Sequence, residues 1–344
     1  MVSNLTDTKR AAIAEKLASM RAIQNLLIAN EQQFIREITD SDIRDRFNNM
    51  LSDDQKNMGV LDTAITQYGV QSEPKQNVQR MVEQIQQLMQ GSELSLYEKV
   101  AQHELLKHGQ VMSGLLVHKA GQVVGADVEA AIAPLNTVNF ENRAHQEQLK
   151  GVLEVMGTRE LTGQEPDQSV WGRVQDAVAA LTGVFGSAVT QSSDKSDMNI
   201  QDVIRMDHQK ARTLFQEIES SSDPQKIQEY FGQLYQDLTA HAEAEEQVVY
   251  PTVRPFYGES DTQELYDEQA QQKQMLEDIK STNPGSPEFK TKVSRLKDIT
   301  LDHVRQEEST MFAAIRNNCS SEQQEQLATQ FKEAKKKLQT KMAR

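Results

Sequence analysis

The chain has 344 residues, enough for two domains that each bury a core, and its wealth of Gln, Glu, Ala, Leu, Met and Lys with only 5% aromatics points to an all-α fold. A formal net charge of −14 argues against nucleic acid as a partner, because phosphate contacts draw on a basic surface. A lone cysteine, Cys319, excludes an internal disulfide and cysteine-rich zinc or iron–sulfur sites, so any metal chemistry must rest on His and carboxylates.

The first block, residues 1–160, carries long helical periods. Ile13, Leu17, Met20, Leu27, Glu31, Phe34 and Ile38 share one helix face, so Glu31 stands among apolar residues. A second helix aligns Ile43, Phe47, Met50, Asp54, Asn57, Leu61 and Ile65, and Gly69 is suited to end it. A short helix over 74–90 follows. Ser95-Leu-Tyr-Glu98 is a capping box that opens a third long helix, on which Glu104, His108, Val111, Leu115 and His118 are expected to share a face. After Pro134 a fourth helix puts Glu141 and His145 in register with Val138, Val152 and Val155. Two helix pairs joined by a longer crossover (residues 70–94) match ferritin-like connectivity. Glu31, Asp54, Glu104, His108, Glu141 and His145 are therefore candidates for a second carboxylate-rich metal site, against the plainer reading of a polar core network. The 4-residue spacing on the third and fourth helices departs from the Glu-x-x-His of ferritin-like proteins. His103 and His118 are expected to face outward or an interface.

Residues 161–198 hold one amphipathic segment and a linker. Trp171, Val174, Val178, Leu181, Phe185 and Ala188 form an apolar stripe within 166–190. Packing on a bundle is the plainer expectation; docking to a membrane surface or another protein is the alternative. Its polar face is not basic, since Arg173 is outnumbered by Asp167 and Asp176. The stretch 191–197 has no apolar residue to anchor it and reads as the linker.

The third block, 199–318, reads as four helices joined by short turns, an up-down-up-down bundle. Its first helix aligns Ile200, Ile204, His208, Ala211, Phe215 and Ile218. The second opens at Ser222-Asp223-Pro224 and aligns Ile227, Phe231, Leu234, Leu238, His241, Glu245 and Val248; the Pro251 and Pro255 region is expected to end or bend it. The third, 260–280, turns Leu265, Gln269, Gln272, Leu276 and Ile279 inward, with Glu268 beside them. After Asn283-Pro-Gly-Ser-Pro287 the fourth, 288–317, aligns Phe289, Val293, Leu296, Thr300, His303, Glu307 and Met311. Residues 319–344 add a basic helix with a solvated face. Three helices thus aim a histidine at one core, and two add a glutamate one turn on. A buried ionised Glu is costly unless paired or bound to a cation, and two of them beside histidines are most simply explained by a shared metal.

Asp207-His208, His241-Ala-Glu-Ala-Glu245-Glu-Gln-Val-Val-Tyr250-Pro251 and His303-Val-Arg-Gln-Glu307-Glu308 resemble the hemerythrin-like HHE cation-binding family over about a third of the chain. The resemblance implies a four-helix bundle around a non-haem di-iron centre that handles oxygen, nitric oxide, peroxide or iron, with manganese as the other candidate metal. It implies that His208 and His241 hold one iron, that His303 holds the other, and that Glu245 and Glu307 bridge them. The family draws one or two further histidines from its third helix, where this chain has none; Glu268, Gln269 and Gln272 are the groups available to stand in. Sensing, buffering or detoxifying a small ligand is the function this implies. A ferroxidase or peroxidase, or a helical adaptor with vestigial sites, are the alternatives. No nucleophile motif or phosphate loop competes. Without a membrane-length apolar run or a signal-peptide core, the expected location is the cytoplasm.

Overall fold

A computed structural model describes residues 8–166, 169–189 and 199–342, and all regular structure among them is helical. The expected linker at 191–197 lies outside the described residues, as do the side chains of Phe185 and Ala188 on the amphipathic segment. Among the described residues no helix is long and apolar enough to cross a membrane.

The amino-terminal bundle packs α1 (Thr8–Glu37), α2 (Ser41–Tyr68), α4 (Leu96–Val124) and α6 (Leu135–Thr162), with α3 (Gln76–Gln90) and α5 (Ala126–Ile132) in the connections. Asp40 caps α2 by accepting from the Ile43 amide, and Ser95 with Glu98 forms the expected capping box of α4. The crossover α3 runs alongside and parallel to α1, since the Lys75 amide donates to Ser19 and the Gln33 side chain to the Met89 carbonyl. The long helices therefore run up, down, down, up. Helix α7 (Val170–Val189) lies on α6: Val170 and Val174 are buried, and Val174 and Trp171 crowd Gly151 so closely that a methyl group there would touch both. Arg46 stacks over the Trp171 ring at 3.8 Å.

The carboxy-terminal bundle packs α8 (Ile200–Ser220), α9 (Pro224–Ala244), α11 (Glu259–Lys280) and α12 (Pro287–Gln306), capped by Asn199, Asp223 and Ser286. The proline region does not end the second of these helices. A π-helical turn, Glu245–Val249, leads from α9 into α10 (Tyr250–Tyr257), so the Tyr250 amide reaches back five residues to the Glu245 carbonyl. A widened turn just before Pro251, which has no amide proton to give, lets the chain stay helical. A matching π turn, Glu307–Met311, joins α12 to α13 (Phe312–Asn318). Helix α14 (Ser321–Met342) packs on α8 and α9 and reaches α2 of the other bundle.

The bundles meet over buried ions. Arg10 of α1 forks onto Asp127 of α5 at 2.6 and 2.9 Å. Lys210 of α8 pairs with Asp237 at 2.8 Å and donates to the carbonyls of Gln67 and Tyr68 at 2.7 Å, closing the last turn of α2. Gly69 ends α2 at φ +84°, and a Cβ there would lie 2.1 Å from Asp237 Oδ1.

Candidate metal centre

Each of the two His-x-x-x-Glu pairs closes an α-helix at its histidine turn and opens a π turn at its glutamate. Glu245 and Glu307, the first residues of these widened turns, are both completely buried. His208, His241, Glu245 and Glu307 come together with one ligand atom each, all within 4.8 Å of one another.

All three histidines are mounted the same way. His208 Nδ1 meets Glu308 at 2.9 Å, His241 Nδ1 meets Asp207 at 2.9 Å, and His303 Nδ1 meets Glu268 at 2.6 Å. The Nε2 atoms turn inward, His208 to Glu307 at 3.2 Å, His241 to Glu245 at 3.1 Å and His303 to Glu307 at 3.3 Å. An outer carboxylate on Nδ1 fixes tautomer and ring plane and leaves Nε2 free to ligate, the usual mounting of a metal-binding imidazole. Lys335 of α14 donates to Asp207, and burial that would raise this carboxyl is outweighed by Lys335 and His241, which hold it well below the usual range. Phe331 of α14 packs edge-on against His241 at 5.8 Å.

Two buried acceptors at the cluster, Glu245 Oε1 and Gln269 Oε1, have no hydrogen-bonding partner, which points the same way. An uncompensated acceptor set of that kind is costly in an apolar core and suits a cation. Burial opposes charge on His241 and His303, yet Glu245 and Asp207 hold the first at about 10, and Glu307 and Glu268 hold the second at about 10. Cation binding there is therefore linked to the release of protons from these imidazoles.

Of the third helix, Gln269 donates to Glu245 at 2.7 Å and to Tyr250 at 2.6 Å, while Gln272 accepts from Thr300 at 3.3 Å beside the cluster. Glu268 holds His303 from the outer side and so supports a histidine instead of entering the centre. A cavity of about 20 Å³, lined by His208, His241, Gln269, Gln272, Thr300 and His303, adjoins the cluster. It has room for one water or a diatomic molecule and none for a nucleotide.

The amino-terminal candidates divide. Glu31, Asp54 and His145 do converge, but around the fully buried Lys107, which pairs with Asp54 and lies 3.4 Å from Glu31 and 3.0 Å from His145 Nδ1. A fixed ammonium thus sits where a cation would have to go. Burial pushes Glu31 up to about 8, so it is protonated near neutrality and the pair Lys107–Asp54 balances itself. Helix α4 is turned about one residue from the expected phase. His103 is fully buried between Phe34 and Phe47, 3.2 Å from Glu31, instead of facing outward or an interface as expected. His108 is exposed, and it and Glu104 share Gln146 at 3.0 Å outside the core. His118 is partly exposed beside Gln122, and Glu141 lies half-buried at the edge of the Lys107 cluster, where burial and Asp53 raise its carboxyl against the pull of His145 and Asn57. The cause is visible in α4 itself, which buries Lys107, Gln110, Gly114 and Gly121 and exposes Leu105, Met112, Leu115 and Leu116.

Sequence reasoning gave no role to Tyr250, Asp207, Glu308 or Lys335. The first three lie inside the quoted motifs, next to or one π turn from a proposed ligand. Lys335 has no such signal, since nothing separates it from Lys336 and Lys337 until burial does.

The model of the hemerythrin HHE cation binding domain family matches residues 199–315. A DNA nickase of Nostoc sp. is 68% identical over 342 residues, covering 99% of this chain and 97% of that one. An uncharacterised hemerythrin-like protein of Schizosaccharomyces pombe is 26% identical over 144 residues, 41% of this chain and 71% of that one. No solved structure matches.

Proposed function

This chain belongs to the same family as the DNA nickase of Nostoc sp., and from that premise we propose that it is a metal-dependent DNA-nicking protein whose cation, iron by the hemerythrin resemblance, is held in the carboxy-terminal bundle. The observation that carries this reading is an identity of 68% sustained over 99% of the chain, which includes the whole metal centre and both bundles. His208, His241, Glu245 and Glu307 would hold the cation, with His303 on the far side of Glu307. Bound there, a cation would supply redox chemistry toward a small diffusible molecule, since the adjoining cavity has no room for a nucleotide.

The residues around the centre keep the imidazoles oriented and exclude bulk water, and, against the effect of burial, the histidines hold the Glu307 carboxyl well below its ordinary range. The net charge that argues against nucleic acid says nothing of how charge is distributed. Lys336, Lys337 and Lys341 form an exposed basic face on α14, and Lys336 borders a cleft of about 490 Å³ shared with Arg21, Asn25 and Gln71 of the other bundle. Such a face supplies local phosphate contacts whatever the total charge.

Incubation of supercoiled plasmid with the purified metal-loaded protein tests the reading. Open-circular DNA should accumulate, chelation should stop it, and the His208→Ala/His241→Ala double variant should be inactive while still binding DNA. Plasmid that stays supercoiled at every metal loading would sink the proposal. The small cavity of about 20 Å³ favours a second reading, binding of oxygen, nitric oxide or peroxide at the same centre. Changes in the visible spectrum on adding each gas, in protein that never nicks DNA, would select it.

A further inference from the structure

The third helix brings no histidine, yet the His303 side of the centre is not short of donors. Tyr250 Oη is completely buried and lies 2.7 Å from Glu307 Oε1, 3.3 Å from His303 Nε2 and 3.4 Å from Glu245 Oε2. Gln269, on the third helix, donates to it at 2.6 Å. Ligand atoms bound at roughly 2.0–2.2 Å to one cation stand about 3 Å apart along the edges of its coordination shell. Tyr250 Oη has that spacing to Glu307 Oε1, His303 Nε2 and Glu245 Oε2, and His303 Nε2 lies 3.3 Å from Glu307 Oε1.

Glu307 presents Oε2 to His208 and Oε1 to His303 and Tyr250, one oxygen to each side. The π turn Glu245–Val249 makes this possible, because it places Tyr250 directly after the widened turn that begins at Glu245. In regular α-helix a residue five positions on lies about 140° further round the axis, away from the face of Glu245.

We propose that Tyr250 is a metal ligand, and that it completes a second, oxygen-rich cation position with His303, Glu245 and Glu307 beside the nitrogen-rich position of His208 and His241. The inference rests on the cation-binding reading of this bundle. On coordination the Tyr250 O–H bond breaks, its proton leaves to solvent, and the oxygen keeps the electron pair that it shares with the metal. No oxidant or reductant is involved. The two positions then differ in kind: imidazoles dominate one, and hard oxygen donors dominate the other, which favours a higher oxidation state there.

Ferric iron is the probe, because a phenolate bound to it gives a visible charge-transfer band and enhanced tyrosinate ring modes in resonance Raman spectra. Wild-type protein loaded with ferric iron should show both signals and hold about two irons per chain. Tyr250→Phe, which keeps the ring and removes only the hydroxyl, should lose both signals and fall to about one iron per chain. Tyr266→Phe, altering the ring that packs on Tyr250 at 5.0 Å, should keep them. About two irons per chain without tyrosinate modes, or a Tyr250→Phe protein indistinguishable from wild type, would overturn the proposal and leave the cation-binding reading intact. Folded wild-type protein that takes up no iron would overturn both.

Discussion

Outer carboxylates decide how well three histidines can serve a cation, since each imidazole is turned by one acid on its Nδ1. Glu308→Gln or Asp207→Asn should therefore weaken metal affinity by about 10–100-fold while leaving all proposed ligands in place, measurable by competition with a chelator. The same logic, inverted, explains the amino-terminal cluster. There the buried ammonium of Lys107 compensates Asp54, and Glu31 is neutral at its raised value of about 8. Glu31 binds its proton more tightly folded than unfolded, so its contribution to stability is complete below its ordinary value and fades as pH rises toward about 8. His103, lowered by burial to about 3, acts in the other direction: its contribution is present above its ordinary value and is lost as pH falls toward about 3. Denaturant unfolding across pH should show Glu31→Gln reducing the fall in stability between the ordinary glutamate value and about pH 8, by an amount on the order of a few kcal/mol, while the loss below the ordinary glutamate value stays.

At the scale of elements, α14 is the helix whose importance the family match does not reach, since the match ends at residue 315. Its Lys335 is buried on Asp207, so Lys335→Met should destabilise the fold by about 3–5 kcal/mol by leaving a buried carboxylate uncompensated. Adding Asp207→Asn should recover much of that stability but none of the metal affinity. Urea midpoints and chelator competition, run together, separate the two effects. The carboxy-terminal helices were legible because a stripe such as Phe289, Val293, Leu296, Thr300, His303 and Glu307 breaks its apolar run only at the site. Helix α4 was not, because a sequence that buries lysine and glycine while exposing leucine gives no phase, and Lys107 was invisible beside the better-known ligand types. The π turns were illegible for another reason: they depend on where Glu245 and Glu307 settle in the packed core, which no local propensity records.

The whole molecule is two helical bundles locked across Lys210, Asp237 and the carbonyl end of α2. Gly69 is the hinge of that lock, so Gly69→Ala should cost roughly 1–3 kcal/mol through its left-handed backbone and the clash with Asp237, with bundle separation seen as faster amide exchange at Gln67 and Tyr68. Across this junction the basic face of α14 and the metal centre lie on opposite sides of one helix, Lys336 outward and Lys335 inward. Charge reversal at Lys336, Lys337 and Lys341 should weaken DNA retention and flatten its salt dependence without altering metal content. The most direct measurement is a titration of ferrous iron into metal-free protein, loaded anaerobically and then exposed to air with plasmid, with bound metal and nicked plasmid read from the same samples. Nicking that rises in step with occupancy of the His208–His241 centre, and is absent in the double alanine variant at equal iron, is the predicted result. Nicking that is already complete without metal, or indifferent to its loading, would contradict the account.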